Sequence, residues 1–275
     1  MFWQTSRRKL GTERPLVMGI LNVTPDSFSD GGRYALLDAA IERAAQMGDE
    51  GADIIDVGGE STRPGGQPVP ADDEIARVFP VISALTGRFD TPVSIDTSKS
   101  EVARAAIAAG AEIINDISGL RWDPHLAEVA AEFGTGLVLM HSRGTFSTLH
   151  SEPPATDIID DIVADLNRSI GLALLHGVNR ERIALDPGIG FGKTFEQNIE
   201  VLEKLDVIVA EFPGFPLLIG TSRKSFLGRL YGGAEPADRV SDSVRTAMDA
   251  ERKGAKIFRV HDVRETVQAL GSRQR

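Results

Sequence analysis

The 275-residue sequence contains no cysteine. Disulfides, thiolate metal sites and cysteine nucleophiles are therefore excluded, and the absence agrees with a reducing compartment. No run approaches the roughly 18 consecutive apolar residues that a membrane-spanning helix needs. The first residues, Met1–Leu10, are polar and basic and lack the apolar core of a secretory signal. An excess of positive charge is also missing: 30 Lys and Arg stand against 40 Asp and Glu, a formal net charge of −10. A chain this acidic is not built for non-specific binding to nucleic acid. Together these absences predict a cytoplasmic protein with neither a nucleic-acid nor a membrane partner. An anionic small molecule would have to be held by a local basic cluster.

What is present is an ordinary globular composition, 41% apolar and 25% charged, at a length close to one (β/α)8 barrel. Short apolar runs rich in β-branched residues recur at Leu16–Leu21, Asp53–Val57, Pro92–Ile95, Glu112–Ile114, Gly136–Met140, Arg182–Leu185, Pro216–Ile219 and Lys256–Arg259. They lack strict alternation, as strands covered on both faces do. Amphipathic stretches lie between them. Ile75, Val78, Phe79, Ile82 and Leu85 form one stripe behind Asp72-Asp73-Glu74, which reads as a solvated helix end. Ile159, Ile162, Val163, Leu166, Ile170 and Leu174 form another that stops before Gly177, and Ser100–Ala109 is closed by Gly110. Strand alternating with helix predicts a parallel sheet. Eight such units favour a closed (β/α)8 TIM barrel over an open doubly wound sheet. The whole of 1–275 reads as one domain, with 1–14 as a short N-terminal extension.

The active site of such a barrel lies on the loops after the strands. Those loops begin with Asn22–Gly32, Gly58–Gly65, Asp96–Lys99, Asn115-Asp116, His141–Gly144, Asp186–Lys193 and Thr221–Ser225, and the last strand ends at Arg259–Asp262. Singly, many of these are ordinary turn or cap residues: Asp96 and Asp116 are both candidates for helix N-caps. Jointly, Thr62, Arg63, Lys193, Arg223, Lys224, Arg259 and His261 supply the basic cluster on one rim. Asp96, Asn115 and Asp186 lie deeper in the same mouth. A carboxylate accepts two parallel N–H bonds, which a flat aminopyrimidinone ring offers. The mouth therefore reads as a slot for a planar heterocycle beneath a cationic rim for an anion.

These segments resemble the dihydropteroate synthase family. The resemblance is carried by Met18–Gly32, Asp56–Gly65, Ser94–Ser98, Ile114–Ile117, Leu185–Lys193, Gly220–Phe226 and Arg259–Asp262, in family order over nearly the whole chain. It implies the condensation of 6-hydroxymethyl-7,8-dihydropterin diphosphate with 4-aminobenzoate to dihydropteroate and diphosphate, a step of folate synthesis that proceeds by dissociative displacement. It implies pterin contacts from Asp96, Asn115, Met140, Asp186, Lys224 and Arg259, with Asp96, Lys224 and Arg259 serving catalysis. Asn22, Thr62, Arg63, Arg259 and His261 would meet the diphosphate, and Asn22 also a Mg2+ ion. Phe28, Pro64, Phe191, Lys224 and Ser225 would form the aminobenzoate pocket, the first two loops closing over it. The resemblance further implies a homodimer through the late helices. The Ser61–Gly65 segment, altered in sulfonamide-insensitive relatives, is intact here, so competitive sulfonamide inhibition is expected. The alternative is a pterin-binding methyltransferase of the corrinoid-dependent type, which has no need of Ser61–Pro64 or of Arg259 with His261.

Overall fold

The computed structural model describes residues 1–24, 33–62, 66–149, 151–232 and 239–271. Two short strands, β1 (Phe2–Gln4) and β2 (Lys9–Gly11), pair antiparallel, and eight parallel strands follow: β3 (Leu16–Asn22), β4 (Ile54–Gly58), β5 (Val93–Asp96), β6 (Ile113–Asp116), β7 (Gly136–Met140), β8 (Ile183–Asp186), β9 (Leu218–Ile219) and β10 (Ile257–Val260). Their order is β8-β7-β6-β5-β4-β3-β10-β9. A bridge between Leu185 and Leu217 joins the two ends, with Leu185 N donating to the Pro216 carbonyl at 3.0 Å. The sheet is thus a closed barrel, as the sequence predicts.

The helices are α1 (Arg33–Asp49), α2 (Ala71–Thr86), α3 (Ser100–Ala108), α4 (His125–Phe133), α5 (Ile158–Leu175), α6 (Phe195–Glu203), α7 (Leu205–Glu211), α8 (Ser225–Tyr231), α9 (Val240–Arg252) and α10 (Val263–Gly271). The units after β8 and β9 each carry two helices rather than one. Local chemistry sets the ends. The Asp157 carboxylate caps α5 by accepting from Ile159 N at 2.9 Å and Asp160 N at 3.1 Å. Gly177, beyond its far end, takes φ +89°, which a side chain disfavours. Gly110 does the same for α3 at φ +110°.

The pleat explains why the strands show no simple alternation in the sequence. Residues facing out, such as Val17, Leu21, Ile55, Val57, Ile95, Leu137, Leu139, Ile183 and Leu185, pack in one cluster with the helices. Residues facing in change character along each strand. At the amino ends, Leu16, Met18, Ile54, Ile113, Val138, Ala184, Leu218 and Ile257 form a second apolar cluster around Trp3. At the carboxyl ends, the same inward positions carry Asn22, Asp56, Gly58, Ser94, Asp96, Asn115, Asp186 and Arg259. Strand register brings them level: Gly58 pairs with Asp96, Asp96 with Asn115, and Met140 with Asp186.

The first residues are more than an extension. Trp3 is fully buried, its Nε1 donating to the Arg182 carbonyl at 2.8 Å. A Cβ at Gly136 would stand 3.3 Å from the indole Cζ2, so glycine makes room for the ring. The β1–β2 hairpin therefore plugs the amino end of the barrel. One lone tryptophan in a polar stretch gave the sequence no period to reveal this.

Two further expectations are corrected around α2. Phe79 is 42% exposed, and the buried face runs through Glu74, Val78, Val81, Ile82 and Leu85. Glu74, expected in solvent, is fully buried. Its Oε2 accepts from Lys99 Nζ at 2.6 Å, and the same ammonium reaches Glu60 Oε1 at 2.9 Å. The Glu60 oxygen also accepts from Val69 N at 2.6 Å. One ionic cluster thus ties both feet of the loop after β4 to α2.

Candidate active site

The floor of the mouth is an ionic cluster drawn from four strands. Arg259 on β10 donates from Nε to Asp56 Oδ2 at 2.6 Å and from Nη2 to Asp96 Oδ2 at 2.6 Å. Asn115 Nδ2 on β6 donates to the same Asp56 oxygen at 3.1 Å. Asp56 is fully buried, and its other oxygen, Oδ1, has no hydrogen-bond partner among the described residues. Burial of a lone carboxylate oxygen is costly. Burial pushes Asp96 up to about 7, with Arg259 acting against it and Asp56 with it. Arg259 is driven up by Asp56 and Asp96 against the opposing effect of burial.

The opposite wall comes from β8 and the loops beside it. Asp186 is buried, and its Oδ1 accepts from Gly188 N at 2.7 Å. Burial raises it, and the Lys224 charge acts in the other direction. Lys224 is in turn lowered to about 8 by burial, with Asp186 opposing. Its ammonium donates to the Ile189 carbonyl and sits 4.5 Å from the Phe191 ring centroid, a cation–π distance. Gly190 lies under the same side chain: a Cβ there would meet Lys224 Cδ at 3.1 Å. Ser225, next in sequence, starts α8 and is exposed.

The donor set is sparse in metal ligands. Among the described residues, no cluster of three or more His, Asp or Glu side chains is arranged to hold a metal ion. Mg2+, however, commonly takes one or two protein oxygens and leaves the rest to substrate phosphates and water. Asn22 fits that role. Asn22 Oδ1 and Asp96 Oδ2 both lie beside Gly58, 3.6 Å and 3.7 Å from where a Cβ would stand.

Residues 18–261 match the family model described as pterin binding enzyme. The dihydropteroate synthase of Bacillus subtilis is 47% identical over 253 residues, which cover 92% of this chain and 85% of that protein. The dihydropteroate synthase of Escherichia coli K12 is 46% identical over 267 residues, 95% of this chain and 91% of that one. The chain belongs to the dihydropteroate synthase family of pterin-binding enzymes. A solved structure of the Xanthomonas albilineans dihydropteroate synthase with 4-aminobenzoic acid superposes with a TM-score of 0.92 at 42% identity, covering 99% of this chain and 97% of that one. Family membership makes this protein an enzyme of the transferase class.

Measured against the family expectation, the structure gathers Asn22, Asp96, Asn115, Met140, Asp186, Phe191, Lys224 and Arg259 around one mouth. Met140 shares the inward face of β7 with Val138. Thr62 is partly buried at the edge of the loop after β4. Phe28, Arg63 and Pro64 lie outside the described residues, as do the glycines at 31, 32 and 65. The His261 ring meets Ser222 Oγ at 3.1 Å through Nδ1. Asp56 is the site residue that the sequence left without a role. Period-two counting from Ile54 puts it on the inner face with Gly58, and that signal was available.

Three members of the expected basic rim or cap set are committed elsewhere. Arg223, at φ +58°, pairs with Asp262, Nε to Oδ2 at 3.0 Å. Lys193 points inward to His141 and two backbone carbonyls. Asp116 faces outward and holds its own loop, accepting from Ser118 N at 2.8 Å and Leu120 N at 2.6 Å. Asp96 is not a cap either, since Lys99 stands at the N-cap of α3. Among the described residues, what remains of the expected cationic set at the mouth is Arg259 and Lys224.

Proposed function

We propose that this protein joins 6-hydroxymethyl-7,8-dihydropterin diphosphate to 4-aminobenzoate, releasing diphosphate and forming 7,8-dihydropteroate for folate synthesis. The observation that carries the reading is the convergence of Asp56, Asp96, Asn115 and Asp186 with Arg259 and Lys224 on the inward face of one barrel mouth. Carboxylates in the mouth suit the amino and ring N–H groups of a pterin. Two cations in an otherwise acidic pocket suit an anion. A relative of the same family, from Xanthomonas albilineans, has been solved with 7,8-dihydropteroate.

In the mechanism we infer, the carbon–oxygen bond breaks first and the diphosphate leaves with the electron pair. Arg259 takes up charge developing on the leaving group. Asp96, a carboxylate beside the ring, favours the cationic pterin left behind. The neutral arylamine then forms the carbon–nitrogen bond and sheds its extra proton, a step that needs no strong base. Mg2+, when bound, supplies further charge neutralisation on the diphosphate, and Asn22 is the residue that would hold it. Lys224 and Phe191 would line the aminobenzoate side, with Ser225, Pro64 and Phe28. Thr62, Arg63 and His261 would meet the diphosphate.

The same reading carries competitive sulfonamide inhibition, supported by the Yersinia pestis relative solved with a sulfonamide drug, 43% identical at a TM-score of 0.91. It also carries a homodimer in the cytoplasm. No helix among the described residues is long and apolar enough to cross a membrane. Light scattering checks the dimer, which should weigh twice the 29.6 kDa chain.

The decisive assay incubates pure protein with the pterin diphosphate, 4-aminobenzoate and magnesium. Mass spectrometry should find dihydropteroate, and its absence with folded protein overturns the reading.

A further inference from the structure

Lys193 was expected on the basic rim, yet its ammonium is taken up by the loops after β7 and β8. Its Nζ lies 2.7 Å from the Gly188 carbonyl, 3.2 Å from the Phe191 carbonyl and 2.8 Å from His141 Nδ1. An ammonium has three N–H bonds, and here they meet three acceptors. The histidine is fixed by the same contact. With Nδ1 accepting, the ring proton sits on Nε2, which points at Asp161 Oδ2 at 3.2 Å. That carboxylate also takes Arg143 Nε at 3.1 Å.

The chain of contacts matters because of what it holds. The turn after β8 contains Gly188, Gly190 and Gly192 at φ +68°, +84° and +64°. Such a turn has little stiffness of its own. It is packed tightly nonetheless: a Cβ at Gly188 would overlap the His141 carbonyl oxygen, and one at Gly192 would stand 2.7 Å from Arg143 Cβ. The turn also carries the Ile189 carbonyl that receives Lys224, and the Phe191 ring beneath that ammonium.

We propose that Lys193, through His141, is a positioning residue that fixes the Gly188–Gly192 turn and so sets Phe191 and Lys224 for the aminobenzoate. It touches neither substrate. The proposal rests on the functional reading above and adds a determinant of aminobenzoate affinity that acts through backbone.

The test is steady-state kinetics of Lys193→Met, which keeps the length and removes the ammonium. Its KM for 4-aminobenzoate should rise about tenfold and by several times more than the KM for the pterin diphosphate, because a small displacement of a positioning element is felt most by the groups it positions. A rise confined to the pterin diphosphate would make Lys193 a substrate anchor and overturn the proposal, as would no change in either KM. The histidine supplies a chemical control should Lys193→Met fail to fold. His141→Asn places an amide oxygen near the Nδ1 position and keeps the acceptor. His141→Gln places its amide near Nε2 and loses it. The first should retain the aminobenzoate KM and the second should raise it, whereas equal behaviour of the two overturns the proposal. Lack of turnover in the unmutated protein would instead defeat the functional reading.

Discussion

Arg259 Nη2 donates to Asp96 Oδ2 at 2.6 Å across 163 residues of sequence, joining the last strand of the barrel to the third. The cation offered to an anionic leaving group is thus already engaged by carboxylates. With Asp56 at the same guanidinium, two carboxylates surround one cation at the bottom of the pocket, an arrangement that favours a positively charged species next to it.

Asp96→Asn is therefore expected to act on turnover. It keeps the size and loses the charge, so kcat should fall about a hundredfold, in the range seen when one preorganised electrostatic group is removed. Rapid-quench measurement of the first turnover checks this. A variant that changed KM alone would assign Asp96 to ground-state binding.

Removing Arg259 should unsettle the fold as well as the chemistry. Arg259→Met leaves the fully buried Asp56 without its cation, a change that costs about 3–5 kcal/mol in comparable buried pairs. Asp56→Asn in the same chain should recover a large part of that loss. Urea unfolding of the two single variants and the double variant gives the coupling directly, and strict additivity would deny it.

His141 predicts a pH dependence of stability. Burial, followed by the neighbouring Lys193 charge, lowers it from 6.5 to about 4. Between those values the unfolded chain binds a proton that the folded chain does not. The His141 contribution to stability should therefore rise with pH across that window, by at most about 3 kcal/mol, and be fully free of this penalty above pH 6.5, while Asp96 and Asp116, both raised by burial, contribute in the opposite sense. His141→Asn removes the titrating group. On going from about pH 4.5 to about pH 6.5, the urea midpoint of the variant should rise less, or fall more, than that of the unmutated protein.

Two glycines should respond oppositely to alanine. Gly171 lies in the exposed middle of α5 with nothing within 4 Å of an added Cβ. Gly171→Ala should stabilise by about 0.5–1 kcal/mol. Gly188→Ala drives a Cβ into the His141 carbonyl at a left-handed φ, and should abolish aminobenzoate binding or folding. Thermal melts and binding isotherms on the two variants decide it.

Trp3→Ala separates stability from function. It empties the plug of the amino end and should cost about 3–5 kcal/mol, as large-to-small changes at buried aromatics do. The active mouth is at the other end of the barrel, so kcat/KM well below the melting temperature should be unchanged. Lost activity in folded Trp3→Ala would show that the two ends are coupled.

All eight barrel strands, and the helices bounded by Gly110 and Gly177, were legible in the sequence. Those signals are local: apolar runs, helical spacing and glycine stops act within a few residues. The strand-end motifs were legible too, because a (β/α)8 barrel sends every such end to one rim. Side-chain partnership was a different matter. Lys193, Arg223, Lys224 and Arg259 are equal as letters, yet two are committed to other partners and two face the mouth. Glu74 looked like solvated charge because its partner, Lys99, comes from another unit. Asp56 gained its role from Asn115 and Arg259, which lie 59 and 203 residues away. The sequence by itself determined the barrel and the address of the chemistry, since period and order suffice for both. Only the tertiary structure decided which charges remain available, because that depends on distances of a few ångströms between strands remote in the chain.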